Sequence, residues 1–143
     1  MPARAEVLEL GDIRGDRTRR GAIAVDLVPP GGDGRPVTVI GTHMSHLSDG
    51  SLIQFRRLAR RLPAADTDVV LAGDMNLWGP PLSLLFPGLR RVVRGRTWPA
   101  WRPIAQSDHI LATSRLASSA HGEVVPVRGS DHLPVRARFA LGR

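Results

Sequence analysis

Two rhythms of hydrophobic and polar positions run along the chain, and each predicts a different element. Over residues 21–28, Ile23, Val25 and Leu27 alternate with Ala22, Ala24 and Asp26, the period of two of a half-buried strand. Residues 37–40 form a short β-branched run. Between them, residues 29–36 (PPGGDGRP) are rich in turn formers, so the two runs predict an antiparallel hairpin. Over residues 51–62 the period lengthens. Leu52, Phe55, Leu58, Ala59 and Leu62 recur at helical spacing, with Arg56, Arg57, Arg60 and Arg61 largely on the other, solvated side. Asp49 or Ser51 is suited to cap this helix and Pro63 to end it.

Residues 68–72 (DVVLA) are a continuous apolar run of strand length, expected where both faces of a strand are covered. Residues 109–112 predict another short strand. Residues 134–141 alternate Val135, Ala137, Phe139 and Leu141 inward with Arg136, Arg138 and Ala140 outward. No internal repeat is visible. The pattern is strand-rich with one clear helix, and 143 residues with 42% hydrophobic content suit one domain.

Composition narrows the chemistry. Cysteine is absent, which excludes disulfides, thiolate metal sites and a cysteine nucleophile. Any metal must be held by carboxylate, amide or imidazole, and such a set favours a hard cation. The formal charge is +7, and because lysine is absent all 20 basic residues are arginine. That balance suits a phosphate-rich partner. It is equally the mark of a GC-rich genome, which has no binding meaning. No apolar run reaches the roughly 20 residues of a membrane span. The opening MPARAEVLEL lacks a signal peptide's apolar centre, so the expectation is a soluble chain, cytoplasmic as written.

Four short segments put acidic, amide and imidazole groups at or beside predicted strand ends: Gly41-Thr42-His43, Gly73-Asp74-Met75-Asn76, Ser107-Asp108-His109 and Ser130-Asp131-His132. Side chains at strand ends converge in space even when distant in sequence. Asp74 and Asn76 follow an apolar strand through a glycine and can share one rim, where a carboxylate and an amide suit a metal-bound water and a phosphoryl oxygen. An Asx turn closing the strand is the plainer alternative. Asp131 and His132 are adjacent, so an extended backbone would point them apart, and a turn between Gly129 and Pro134 is needed. Asp108 is placed to hydrogen-bond an imidazole nitrogen of His132 and fix its tautomer. His43 ends an apolar strand as Asp74 does and is a third candidate at that rim. His46 and His121 read as structural or solvent-exposed. Trp98 and Trp101, with Trp78, either line a cleft or pack in the core, and packing is the plainer expectation.

The motifs GTHMSH, LAGDMNLW, SDHIL and GSDHLPV, in that order over residues 40–135, resemble the endonuclease/exonuclease/phosphatase superfamily, which includes DNase I-like nucleases, abasic-site endonucleases and sphingomyelinases. RRGAIA, residues 19–24, is similar to the family's central strand. The resemblance implies an α/β (α+β) fold, the C-terminal portion of a four-layer α/β/β/α sandwich with a mostly antiparallel sheet. It implies hydrolysis of phosphoester bonds with Mg²⁺ or Mn²⁺, by an activated water and without a covalent enzyme intermediate. By resemblance, Asp74 orients or activates the water and Asn76 holds a phosphate oxygen. His132, oriented by Asp108, contacts the scissile phosphate, and His43 is a second phosphate-facing histidine. Asp131 is a metal ligand or next to one, with Asp74 and Asn76 completing the metal side.

The family also carries an early Asn and a Glu that is its principal metal ligand, supplied by an N-terminal half. Here about 20 residues precede the first clear strand, and Glu6 and Glu9 lack that context. The expectation is therefore one domain over residues 1–143 without its N-terminal half, with an incomplete site and with a sheet edge and an apolar face uncovered. A calcineurin-like metallophosphoesterase is disfavoured by the absence of an early Asp-x-His and of a Gly-Asn-His segment. The remaining alternatives are a non-catalytic, Arg-rich nucleic-acid-binding module and an inert fragment. Nucleic acid, phosphoinositide, sphingolipid and nucleotide all remain open as substrates.

Overall fold

The computed structural model describes residues 4–64, 66–127 and 129–140. Its main sheet takes strands β1 (Arg4–Glu9), β2 (Gly21–Leu27), β3 (Val37–His43), β4 (Asp68–Asp74), β5 (Leu89–Arg91) and β6 (Asp108–Thr113) in the order β1-β2-β3-β4-β6-β5. The pairing is antiparallel except between β3 and β4. Parallel neighbours need a long crossover, and α1 (Ser48–Ala59) provides it. Strands β7 (Ala120–Val124) and β8 (Val135–Phe139) pair in a separate two-stranded sheet. Helices α2 (Gly79–Leu85) and α3 (Ser114–Ala117) are short. This is a mixed α/β fold with a mostly antiparallel sheet.

Each face of the sheet has its own apolar cluster. On one, Leu8, Ala22, Ile40, Leu71 and Leu111 from successive strands meet Phe55 and Leu58 of α1 and Leu82 of α2. Phe55 and Leu58 are 1% and 0% exposed, and each such burial stabilises by roughly 1.5–3 kcal/mol. On the other, Val37, Val70, Ile110 and Ala112 meet Leu116 of α3 and Val135, Ala137 and Phe139 of β8. The expected double covering of β4 therefore holds, as does the inward set Val135, Ala137 and Phe139, while Leu141 lies outside the described residues. Farther along this second face nothing described covers β1 and β2, where Val7, Ile23 and Val28 are 70%, 55% and 54% exposed.

Several expectations need correcting. Helix α1 begins at Ser48 with its N-cap position at Leu47, ahead of both Asp49 and Ser51, and it ends at Ala59 before Pro63. Strand β1 has no counterpart among the predicted elements and carries both Glu6 and Glu9. Strand β2 lies between β1 and β3 in the main sheet. Its small residues face the helices, with Ala22 buried and Ile23 exposed.

Candidate active site

Register assembles the site. The parallel pairing sets His43 beside Asp74, and the antiparallel pairing sets Asp74 beside Asp108, so three chemically active residues form a row across one end of the sheet. Paired residues face the same side, which turns this row into a cluster. Gly73 makes the approach possible. Its φ is +146°, and a Cβ there would overlap the Thr42 carbonyl oxygen. Asp74 Oδ1 accepts the Asn76 N–H at 2.9 Å, with Asn76 at φ +47°. The Asx turn that the sequence allows is therefore present, and it frees Oδ2 for the cleft. Asn76 Nδ2 donates to the Met44 carbonyl at 2.9 Å, leaving its amide oxygen for a ligand.

His132 arrives on a turn before β8 that is pinned at three points. Leu133 N–H donates to Thr97 O, Ala100 N–H to Asp131 O, and Val125 N–H to Pro134 O, all at 2.7–2.8 Å. Thr97, fully buried, also accepts the Ser107 and Asp108 N–H groups on its Oγ1 at 3.2 and 3.3 Å. One threonine thus fixes both halves of the Asp108–His132 pair. His132 Nδ1 lies 2.8 Å from Asp108 Oδ2, and the Ser107 hydroxyl donates to the same oxygen at 2.9 Å. Since Asp108 accepts, Nδ1 carries the proton and Nε2 is presented to the cleft.

Two imidazoles then face one carboxylate oxygen: His43 Nε2 at 3.4 Å and His132 Nε2 at 4.0 Å from Asp74 Oδ2. Burial opposes charge on His132. The hydrogen bond and charge of Asp108, with the charges of Asp74 and Asp131, outweigh it and hold the imidazole above its ordinary range. Neighbouring His109 is the reverse case. It is buried with Nε2 2.8 Å from the Leu77 carbonyl, and burial pushes its pKa down, so it is a neutral structural residue.

Asp74, Asp108 and His132 each bring one ligand atom within 4.8 Å of the others, a group that could hold a metal ion. Asp108 and His132 already satisfy each other, so for a hard cation the open oxygens are Asp74 Oδ2, the Asn76 amide oxygen and the Asp131 carboxylate. Asp131 is exposed, with Oδ2 3.9 Å from His132 Nε2. The donor set fits a cation that keeps several waters. Glu9 cannot join it, because three inter-strand spacings of about 4.8 Å separate β1 from β4.

Beside the row lies a cleft of about 440 Å³ lined by Asn76, Ser107, His132, Trp78, Trp98 and His46. Trp78, Trp98 and Trp101 are 67%, 43% and 75% exposed, which overturns the core-packing expectation for them. His46, whose spacing gives it no place at the rim, lines this cleft, whereas His121 is exposed on β7 as expected. Thr97, Ser107 and Gln106 are positioning residues that the sequence does not announce. Their only signal is the SD of Ser107-Asp108, since the rest act through backbone contacts.

The chain belongs to the endonuclease/exonuclease/phosphatase family, whose model matches residues 3–132. No curated protein matches it in sequence. Among solved structures it is similar to an endonuclease/exonuclease/phosphatase from Beutenbergia cavernae, with 24% identity, a TM-score of 0.72, and coverage of 99% of this chain and 46% of that one. It is also similar to a mannosyl-6-phosphatase from Bacteroides thetaiotaomicron, with 15% identity, a TM-score of 0.71, and coverage of 96% and 66%. A third is TDP2 from D. rerio in complex with a single-strand DNA product, with 14% identity, a TM-score of 0.65, and coverage of 95% and 66%. The chain spans about half to two thirds of the length of these structures. At these identities the likeness establishes the fold. No described helix is long and apolar enough to cross a membrane.

Proposed function

We propose that this chain is a metal-dependent phosphoesterase that cleaves phosphodiester bonds by direct attack of water. The observation that carries the reading is the convergence of His43 and His132 Nε2 on Asp74 Oδ2 at the end of one strand row. A phosphoryl group entering between the imidazoles meets two donors, and the carboxylate behind them orients and accepts a proton from the attacking water. His132, whose hold on a proton Asp108 strengthens, offsets developing negative charge on a phosphoryl oxygen when protonated. Asp108 is a positioning residue, since it acts through His132. Asn76 holds a second phosphoryl oxygen through its side chain. A Mg²⁺ or Mn²⁺ ion held by Asp74 and Asn76, with Asp131 nearby, would supply further charge neutralisation when bound. Two of the similar structures, a phosphatase and a complex with a DNA product, are compatible with this chemistry.

The test is Mg²⁺-dependent hydrolysis of plasmid DNA and of bis(p-nitrophenyl) phosphate by folded protein. Asp74→Ala and His132→Ala should each lower kcat by about 10²–10⁴-fold while leaving the circular dichroism spectrum intact. Asp108→Asn should cost less than His132→Ala, since it only loosens the imidazole. Wild-type rates in both alanine variants would overturn the site. A loss in Asp108→Asn equal to or greater than that in His132→Ala would instead move Asp108 into direct contact with the reacting groups.

A further inference from the structure

On the flank of the sheet, α2, β5 and α3 surround a second concavity of about 650 Å³, lined by Arg90, Arg91 and Arg94 with the hydroxyls of Ser83 and Ser114 and by no carboxylate. Some arginines elsewhere have acidic partners, as Arg20 holds Asp16, Arg35 holds Asp33, Arg115 holds Asp68 and Arg136 holds Glu123, while others, such as Arg60 and Arg61, stand exposed and apart in solvent. The three in the concavity form no salt bridge among the described residues. Arg91 is held in place by its neighbours. Its Nη2 donates to Gln106 Oε1 at 2.6 Å, and its guanidinium lies against Gly79, in the space that a Cβ there would fill. Its Nε is buried and has no hydrogen-bond partner. Arg90 Nε donates to Ser114 Oγ at 2.9 Å. Burial, and then the charge of Arg94, lower the pKa of Arg91, as expected where like charges crowd without an anion.

The concavity adjoins the catalytic cleft. Gln106, which grips Arg91, also lines the cleft together with Trp98 and His132. Trp78 lines the cleft, and Pro80, two residues on, lines the concavity. A ligand leaving the His132 pocket past the exposed indoles would therefore meet uncompensated positive charge. Indole faces stack on unpaired bases of any sequence, and an arginine fork fits a phosphate in bidentate fashion.

We propose that Arg90, Arg91 and Arg94 bind a second phosphate of the substrate, so that the chain acts on single-stranded nucleic acid laid across the tryptophans rather than on an isolated phosphate ester. The catalytic part of this statement rests on the phosphoesterase reading, whereas the binding part does not require it.

The experiment measures fluorescence anisotropy of a labelled 12-nucleotide single strand, without divalent metal, against wild type, Arg90→Gln/Arg94→Gln, and Arg60→Gln/Arg61→Gln on exposed positions at the end of α1 as a control. The first variant should weaken binding about ten-fold, and its log–log salt slope should fall by about 0.7 for each phosphate no longer neutralised. The α1 control should bind like wild type. Hydrolysis of bis(p-nitrophenyl) phosphate should be unchanged in Arg90→Gln/Arg94→Gln, because that small diester does not reach the concavity. Unchanged oligonucleotide affinity and slope in this variant would overturn the proposal, as would an equal loss in the α1 control, which would mean diffuse charge. Arginine-dependent binding to anionic phosphatidylserine vesicles without binding to the oligonucleotide would overturn it in favour of a lipid surface. If the arginine variant loses oligonucleotide binding while Asp74→Ala leaves hydrolysis intact, the anion site stands and the catalytic reading fails.

Discussion

His132 shows how one neighbour sets the chemistry of a side chain. Its imidazole is three-quarters buried, a setting that by itself favours the neutral form, yet Asp108 at 2.8 Å and the carboxylates of Asp74 and Asp131 hold it above its ordinary range. A group whose folded pKa is raised stabilises the fold fully below its unfolded value of 6.5, and that contribution is lost as pH rises through the folded pKa. We therefore expect Asp108→Asn, in metal-free protein, to bring the His132 ring protons back toward ordinary titration by NMR. Urea unfolding should show the variant less stable than wild type at pH 6, with the gap narrowing by pH 9. A His132 titration unmoved by Asp108→Asn would mean that Asp74 and Asp131 alone set the charge. His43 makes a useful contrast, since it faces the same Asp74 oxygen from an exposed position and has no second carboxylate partner among the described residues.

At the scale of elements, the loop between β1 and β2 and the turn between β3 and α1 both send an apolar residue into one buried cluster, Leu10 and Met44, and polar contacts join them as well. Gln54, wholly buried on α1, accepts the Ser45 N–H at 2.9 Å and donates to the Gly11 carbonyl at 3.4 Å. The Ser45 hydroxyl bond to Asp16, then the Thr18 N–H, lower the Asp16 pKa to about 2, with Arg20 adding to the effect. Gln54→Ala leaves the buried Ser45 N–H unpaired, and a loss of about 1–3 kcal/mol is expected from urea midpoints at constant m-value. A loss below about 0.5 kcal/mol would mean that water replaces the amide. Periodicity reveals the β2–β3 hairpin, β4, β6, β8 and the buried face of α1. It cannot reveal β5, three residues long, or α2, seven residues opening on Gly-Pro-Pro, because neither spans enough residues to display a period. Strand β1 is hidden for another reason: its alternation places Val7 in the open and Glu6 and Glu9 at exposed positions, so it carries little apolar signal. In the site, His43, Asp74, Asp108 and His132 are legible because strand ends converge, whereas Thr97 and Gln106 work through backbone contacts that no spacing encodes.

For the molecule as a whole, the two faces of the sheet differ in how they meet water. The face under α1 and α2 is closed, with Ile40, Leu71 and Leu111 fully buried. The opposite face is closed only where β8 and α3 reach, and toward β1 it exposes Val7, Ile23 and Val28 beside an apolar groove lined by Leu27, Val39 and Phe139. Val7 and Ile23 are register partners, so these side chains form a contiguous strip beside an edge strand. Contiguous apolar surface next to an unpaired edge is an association hazard. We expect this chain to self-associate with rising concentration in sedimentation velocity, and more strongly as salt screens its +7 charge. Ile23→Thr keeps a β-branched side chain on an exposed strand position, so its stability cost should stay within about 1 kcal/mol while the association weakens. Unchanged sedimentation of the variant would place the contact elsewhere, and a wild-type chain that stays monomeric at high salt would mean that the arginine charge alone does not keep the copies apart.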